Sequence, residues 1–530
     1  MSALFSPAAA LPVDAPPPSP DALIEQLESA CAAEPTAAGP RITLARALLM
    51  ARRAAEAVAP AEQAVALAPG HAAAIVVRDA VMAALAAGDP ALVRLELTCV
   101  LHPGDGSAQL ALGEAYADLD RSMDAERHLK RALHLGRARE ASADLGALYL
   151  SVDMLDAAEH HATRALAFDP AAADATTHTM ARQTLAGVLR ARGDPAGAAR
   201  QLDLAYNRQS FYRQPAPVCS FTTLVLVTRD NGNLPYKALL PPGRFDYAVW
   251  YMEHARPEQI AELPPHRLVL NAIGDPDVAQ ASAAMVETFT AGCQRPVLNP
   301  PARVSATARD RLAETLAGLD QVIVPKTLRL AAAEFAEGGL ATRLEAEGLA
   351  LPVLIRPAGT HGGEGLILAA EASDLPPALP ADGADRYVSR FHDYRSPDGF
   401  YRKYRMIFVD RRPFPYHLAI GPRWMVHHQT SEMAGDLARM AEEMRFLADP
   451  EAAIGVRALA GIAAIGRRLD LDYGGVDFTV TADGEVLVFE ANATMLTHLE
   501  PETGPFAAKN AYVQPILDAF RDHVARLALG

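Results

Sequence analysis

Four short turns, LAPGH, LHPGD, LHLGR and AFDPA, recur along the N-terminal part of this 530-residue chain. Pro69, Pro103, Arg137 and Pro170 mark them at spacings of 34, 34 and 33 residues. A fixed period of this size dictates stacked copies of one supersecondary unit, because each copy buries its apolar face only against its neighbours. Between the turns the chain is rich in Ala, Leu, Arg and Glu with helical periodicity, so each unit is a pair of helices and residues 21–212 form an all-α solenoid. Residues 1–20, MSALFSPAAALPVDAPPPSP, have little that packs and read as a disordered leader.

Two repeats repeat their interior. Leu112, Gly113, Tyr116, Ala125 and Ala132 in one correspond to Leu145, Gly146, Tyr149, Ala158 and Ala165 in the next. Small residues let paired helices approach while Leu and Tyr fill the space between them. This pattern resembles a tetratricopeptide array of four to five repeats, closed by a degenerate pair near Thr184–Tyr206 with Gly187 and Ala199. The resemblance implies a protein or peptide partner on the concave face; a rigid spacer or a dimer surface is the plainer alternative.

A net charge of −15 argues against a general binder of nucleic acid or of anionic membrane. Cys31, Cys99, Cys219 and Cys293 lack CxxC pairing and matched histidines, which argues against a disulfide framework or a structural zinc site. No charge-free apolar run reaches about 18 residues and no basic region precedes an apolar stretch at the N-terminus. The expectation is a cytoplasmic protein with reduced thiols, binding neither nucleic acid nor membrane.

The helical rhythm stops at 209–217, where Pro215 and Pro217 mark a linker. Over 218–325, strands FTTLVLVT, YAVWYM and RLVLNAIG alternate with helices expected at Asp277–Ala291 and Val304–Leu319, a small parallel α/β layer. Loops at Asn231–Asn233 and Gly274–Asp277 lie at strand ends, where such layers place ligand groups.

The chemistry concentrates in two later stretches. LIRPAGTHGGEGLIL puts Gly359, Gly362, Gly363 and Gly365 between two β-rich arms, a turn whose backbone N–H groups can wrap a phosphate. GGVDFTVTADGEVLVFEAN reads as a hairpin turning at Ala482–Gly484, with Glu490 and Asn492 two apart on one face and Phe489 and Ala491 on the other. Asp477, Glu490 and Asn492 together make a hard-oxygen set suited to Mg²⁺, and both carboxylates are expected to face solvent and metal.

From Val218 onward, these motifs and their order resemble the ATP-grasp superfamily, in particular RimK-type, glutathione-synthetase-like and D-alanine-ligase-like carboxylate–amine ligases. The resemblance implies a multidomain chain: leader 1–20, tetratricopeptide helical-hairpin solenoid 21–212, α/β pre-ATP-grasp layer 218–325 and α+β ATP-grasp clamp 326–530. It also implies ATP and Mg²⁺ as cofactors, the metal held by Asp477, Glu490 and Asn492. The nucleotide would be held by Arg356, Gly359, Thr360, His361, Gly362, Gly363 and Gly365, with Ser389, Arg390 and Phe391 as the adenine hinge. Arg356 stands where the family usually has lysine, and a second family lysine is matched by Arg309 or Arg311. Arg405, with Arg356, is the implied catalytic cation; His417 and Trp424 are expected on the strands that follow, with His427 and His428 after them.

The implied reaction activates a small-molecule or peptide carboxylate as an acyl phosphate and couples it to an amine. Two alternatives stand beside it: a repeat scaffold whose clamp has decayed, and a small-molecule kinase. The acid, the amine, the repeat partner and the oligomeric state are not written in the sequence.

Overall fold

The computed structural model describes residues 20–51, 53–87, 90–168, 175–216, 219–229, 232–331, 339–360, 362–375, 384–426, 433–501 and 504–530. The leader up to residue 19, Pro170, Asn231, His361, His427 and His428 therefore lie outside the described residues. The chain divides into two compact units, Met1–Arg208 and Gln209–Gly530.

The first unit is helical, with eleven helices among its described residues: α1 (Pro20–Ala33), α2 (Ala38–Met50), α3 (Ala54–Leu67), α4 (Ala72–Ala87), α5 (Pro90–Leu101), α6 (Gly106–Asp118), α7 (Ser122–His134), α8 (Ala138–Ser151), α9 (Leu155–Leu166), α10 (Ala175–Ala191) and α11 (Pro195–Tyr206). Helices α2/α3, α6/α7, α8/α9 and α10/α11 pack as consecutive pairs, whereas α4 packs on α2 and α3 and α5 on α3 and α6. Leu112, Tyr116, Ala125 and Ala132, and likewise Leu145, Tyr149, Ala158 and Ala165, are buried. A Cβ at Gly113 would sit 2.7 Å from Leu129, so α6 and α7 meet where the side chain is missing. The caps are local: the Asp105 carboxylate accepts from the N–H groups of Ser107 and Ala108 at the start of α6.

The second unit contains three sheets. The first runs β1-β3-β2-β4-β5, where β2 (Thr222–Val227), β3 (Asp246–Tyr251), β4 (Leu268–Asn271) and β5 (Val297–Leu298) are parallel and β1 (Phe211–Gln214) is an antiparallel edge. Strand β2 is buried throughout, as an apolar run covered on both faces should be. The stretch expected to be a linker thus supplies a strand, Phe211–Gln214 pairing with Tyr247–Trp250. The second sheet is antiparallel, β7 (Thr327–Leu330), β10 (Arg386–Arg390), β8 (Val353–Pro357) and β9 (Ile367–Ala369) in that order. The third is ordered β12 (Arg412–Gly421), β11 (Tyr401–Val409), β13 (Tyr473–Val480), β14 (Val486–Asn492) and β6 (Val322–Ile323), with only β6 parallel to its neighbour.

Helices α12 (Tyr236–Leu239), α13 (Pro276–Ala279), α14 (Ala283–Gly292), α15 (Pro301–Ser305), α16 (Leu312–Thr315), α17 (Leu340–Ala346), α18 (Leu437–Ala448), α19 (Pro450–Ile454), α20 (Val456–Leu469) and α21 (Asn510–Leu529) complete it. Two expected helices are broken. At 277–291 the Ser282 hydroxyl donates to the Ala279 carbonyl, closing a turn between α13 and α14. At 304–319 Thr307 bonds back to Val304 and Arg311 reaches Ser305, so residues 306–311 form turns that free Arg309 from any helix.

Alternation along β11 divides the core. Tyr404, Met406 and Phe408 join one cluster with Phe446 of α18 and Ile462 and Ile465 of α20. Ile407 and Val409 join another with Ile516 and Phe520 of α21 and Val225 of β2. Lys403 and Arg405 continue the second face, two residues apart, beyond the packed core. Four cysteines are free thiols, and no helix among the described residues is long and apolar enough to cross a membrane.

Candidate functional site

A cleft of about 220 Å³ lies between the second and third sheets. The second sheet contributes Leu354 and Arg356 of β8 and Tyr387, Ser389 and Arg390 of β10; the third contributes Lys403, Arg405, Asp477, Phe489 and Glu490. Gly362, Gly363, Phe391, Trp424 and Met425 also line it.

At its floor Asp477 and Glu490 face each other as cross-strand partners of β13 and β14. Asp477 is only 1% exposed and takes a bidentate pair from Arg405, Nε to Oδ1 at 2.6 Å and Nη2 to Oδ2 at 2.9 Å, plus Lys403 Nζ on Oδ2 at 3.1 Å. Burial pushes its pKa up, but the Arg405 and Lys403 cations outweigh burial and hold it well below the usual carboxylate range. Glu490 receives the Arg309 guanidinium; burial opposes ionisation there too, and Arg309 with Arg356 and Lys403 overcomes it, holding the pKa down against the repulsion of Asp477. The expectation that both carboxylates face solvent is corrected for Asp477, which cations from the neighbouring strand cover.

A second correction concerns Phe489. The pairing slips between Asp477 and Phe478, so that Asp477 opposes Glu490 and Phe478 opposes Val488. This bulge leaves Phe489 unpaired and turns it to the cleft beside Glu490, its ring 4.8 Å from that of Tyr394. Asn492 does keep the side of Glu490, but its Oδ1 accepts from the N–H and hydroxyl of Thr494, and it lines a smaller recess with Asp277, Gly359 and Thr360. Arg309 and Tyr387 border both spaces.

The glycine turn closes the opposite wall. Gly359, Gly362, Gly363 and Gly365 all have left-handed φ, and a Cβ at Gly365 would fall 2.9 Å from the Pro357 ring. Thr360 is turned inward, its hydroxyl donating to Pro357 O while Arg356 Nη2 donates to Thr360 O. Arg356 Nε is buried without an acceptor among the described residues, and burial, reinforced by repulsion from Arg309, lowers the guanidinium pKa to about 10. Gly365 lines neither space.

Of the two arginines considered for the second cation, Arg309 is in the cleft; Arg311 lines a separate recess and donates to Ser305 Oγ. At the expected hinge Ser389, Arg390 and Phe391 line the cleft, yet the N–H groups of Arg390 and Phe391 are taken by the carbonyls of Lys326 and Pro352. Phe391 packs edge-on against Trp424, ring centres 5.7 Å apart. His417 is drawn away to Glu443, Nδ1 to Oε1 at 2.5 Å.

Two contributors were not singled out in the sequence, Lys403 and, within the loop expected to carry ligand groups, Asp277. Lys403 could have been placed by its two-residue spacing from Arg405. Asp277 accepts from Tyr387 OH at 2.7 Å, Arg329 at 2.9 Å and the Gly359 N–H at 3.0 Å, tying the glycine turn to helix α13. Only the pairing of distant segments reveals that role.

Among the described residues no three His, Cys, Asp or Glu side chains converge as a ready-made metal cluster. The chemistry of Asp477, Glu490 and the Asn492 amide nonetheless fits a hard divalent cation, and both carboxylates are paired with guanidinium or ammonium groups.

No model of a protein family matches the sequence, and no curated protein does. Among solved structures, the chain is similar to D-alanine–D-alanine ligase from Bacillus anthracis at 11% identity and a TM-score of 0.36, over 58% of this chain and 99% of that one. It is similar to the carboxyaminoimidazole ribonucleotide synthase of Aspergillus clavatus, solved with ATP, at 13% identity and 0.36, over 56% and 77%. A RimK domain ATP-grasp protein from Sphaerobacter thermophilus aligns at 16% identity and 0.33, over 58% and 100%. Similarities at this level leave the functional argument to the side chains.

Proposed function

We propose that the second unit is an ATP-grasp carboxylate–amine ligase. The observation that carries this reading is the charge of the cleft: Arg309, Arg356, Lys403 and Arg405 surround only Asp477 and Glu490 beneath a glycine turn. A partly buried surplus of cations calls for a polyanion, and the ring-lined end at Phe391 and Trp424 suits a flat base.

Nucleotide phosphates would lie along Arg356, Lys403 and Arg405 under the N–H groups of Gly362 and Gly363, with the base against Phe391 between Ser389 and Arg390. Asp477, Glu490 and Asn492 would hold Mg²⁺, which supplies charge neutralisation on the phosphates. A substrate carboxylate then attacks the γ-phosphorus, ADP leaves, and an amine displaces phosphate from the acyl phosphate to give an amide. Arg405 and Arg356 compensate the charge of the transferring group, so catalysis is by positioning and electrostatics and needs no side-chain nucleophile. The same proposal gives the helical unit a tetratricopeptide role, recruiting a protein or peptide that carries one of the substrates.

The test is ADP release by the full chain with Mg²⁺, supplied with panels of acids and amines. Release that needs both, with an amide product, is the expected result. A stable phosphorylated product would make the protein a kinase, and absence of both release and nucleotide binding would leave the scaffold reading.

A further inference from the structure

The ion pairs at the cleft floor pose a problem for any divalent cation that arrives alone. Asp477 already receives three N–H donors from two cations, out of about four lone-pair directions that a carboxylate offers. Arg309 sits on Glu490. With Arg309, Arg356, Lys403 and Arg405 around two carboxylates, and Arg390 also lining the cleft, the floor repels a further positive charge rather than inviting one.

The three donors on Asp477 are not equally held. Arg405 makes two bonds in a planar fork. Lys403 makes a single contact at 3.1 Å, through a flexible four-carbon stem that is 20% exposed on the cleft side. Lys403 can therefore leave at the smaller cost, and its reach is set by stem rotation alone.

We propose that Lys403 is a placeholder cation: it neutralises Asp477 in the nucleotide-free protein and swings to a phosphate oxygen when nucleotide enters, so that a divalent cation is accepted at Asp477 only in company with polyphosphate. The inference rests on the nucleotide reading given above and adds an order to it. In physical terms the negative charge of the nucleotide releases the ammonium from the carboxylate, and the freed carboxylate direction becomes available to the metal. No covalent bond changes; two ion pairs exchange partners.

Two binding measurements on the full chain, neither requiring turnover, test this. Mn²⁺ alone is titrated with the free ion read by electron paramagnetic resonance, and trinitrophenyl-ATP is titrated by fluorescence with EDTA present. In Lys403→Met, Mn²⁺ alone should bind about tenfold tighter or more than in the wild type, and metal-free nucleotide about tenfold weaker or more, since one unit charge is removed from each contact. Lys403→Arg, which keeps the charge, should resemble the wild type in both.

A purely structural lysine would weaken both ligands on removal, so the opposite signs are the diagnostic result. Unchanged or weaker Mn²⁺ binding by Lys403→Met overturns the proposal, as does wild-type protein that binds Mn²⁺ alone as tightly as the variant. If Lys403→Met does not fold, reductively ¹³C-methylated wild-type protein supplies the answer: the Lys403 dimethylamine signal, assigned by its absence from Lys403→Arg, should shift with metal-free nucleotide, and a signal that stays still overturns it. Wild-type protein that binds neither probe nor the two together sinks the nucleotide reading itself, a separate outcome.

Discussion

Asp477 is a functional candidate and also a structural counter-charge, and the two roles predict different consequences for its removal. With Asp477→Ala, Arg405 and Lys403 lose their shared partner in a place water barely reaches. Breaking a buried pair in this way costs roughly 3–5 kcal/mol. The expected outcome is a lower denaturant midpoint for the second unit together with loss of nucleotide turnover. Glu490→Gln, at a side chain 22% exposed whose direct ion pair is with Arg309, should abolish turnover with a clearly smaller loss of midpoint. Parallel urea unfolding and ADP-release assays on both variants check this, and equal midpoints would contradict it. The alternation of FEAN made the shared side of Glu490 and Asn492 legible in the sequence. The covering of Asp477 was not, because Arg405 lies 72 residues earlier and only the register of β11 on β13 brings it across.

At the scale of elements, bulges on two strands aim the cleft. On β12 the pairing passes from His417 opposite Arg405 to Pro415 opposite Met406, leaving Tyr416 as the extra residue; on β14 the extra residue is Phe489. Neither bulge has a glycine or proline signal of its own at the extra position, which explains why strict alternation mispredicted Phe489. A helix is legible where one face is apolar, as along α20, and not at 304–319, where the Thr307 and Thr315 hydroxyls bond the Val304 and Ala306 carbonyls and Arg311 bonds the Ser305 hydroxyl.

Helix α20 gives a sharp packing prediction. A Cβ at Gly466 would meet the Arg411 carbonyl at 2.5 Å and the Phe408 ring at 2.8 Å. Gly466→Ala gains about 1 kcal/mol of helix propensity. It loses about 1–3 kcal/mol to overpacking, because backbone and a fully buried ring cannot both yield. A net fall in thermal midpoint is expected, and a rise would show that β11 moves easily.

A second element-level prediction concerns acid. Glu443 of α18 holds His417 and, at 2.9 Å, Lys509, with the glutamate and lysine side chains 1% and 4% exposed. Burial alone would raise the Glu443 pKa, but His417 and Lys509 bring it down to about 2. A carboxylate whose folded pKa lies below its unfolded value of about 4.3 stabilises the fold fully above that value and loses the contribution as pH falls toward 2. Unfolding free energy of the wild type should therefore fall between about pH 4.5 and 2. Glu443→Gln should be less stable at neutral pH and show a flatter acid limb; identical limbs would remove this cluster as the source.

For the molecule as a whole, nucleotide binding supplies the discriminating measurement, since the proposed site lies within Gln209–Gly530 and none of its lining residues comes from the helical unit. A ligand that binds only the folded state stabilises it by RT ln(1 + [L]/Kd), about 2.7 kcal/mol at a hundredfold excess over Kd. Amide exchange slowed by that free energy should appear in Val353–Pro357, Tyr401–Val409, Tyr473–Val480 and Val486–Asn492, the strands that carry the cleft. Helices α6 to α9, which have a core cluster of their own, should exchange at the same rate with and without Mg²⁺ and ATP. Protection spreading equally through α6 to α9 would mean that the helical unit senses the nucleotide, and protection absent from the four strands would remove the cleft as the binding site. Protection confined to the strands would leave the helical unit free to engage a partner whether or not nucleotide is bound, which the proposed recruitment role calls for.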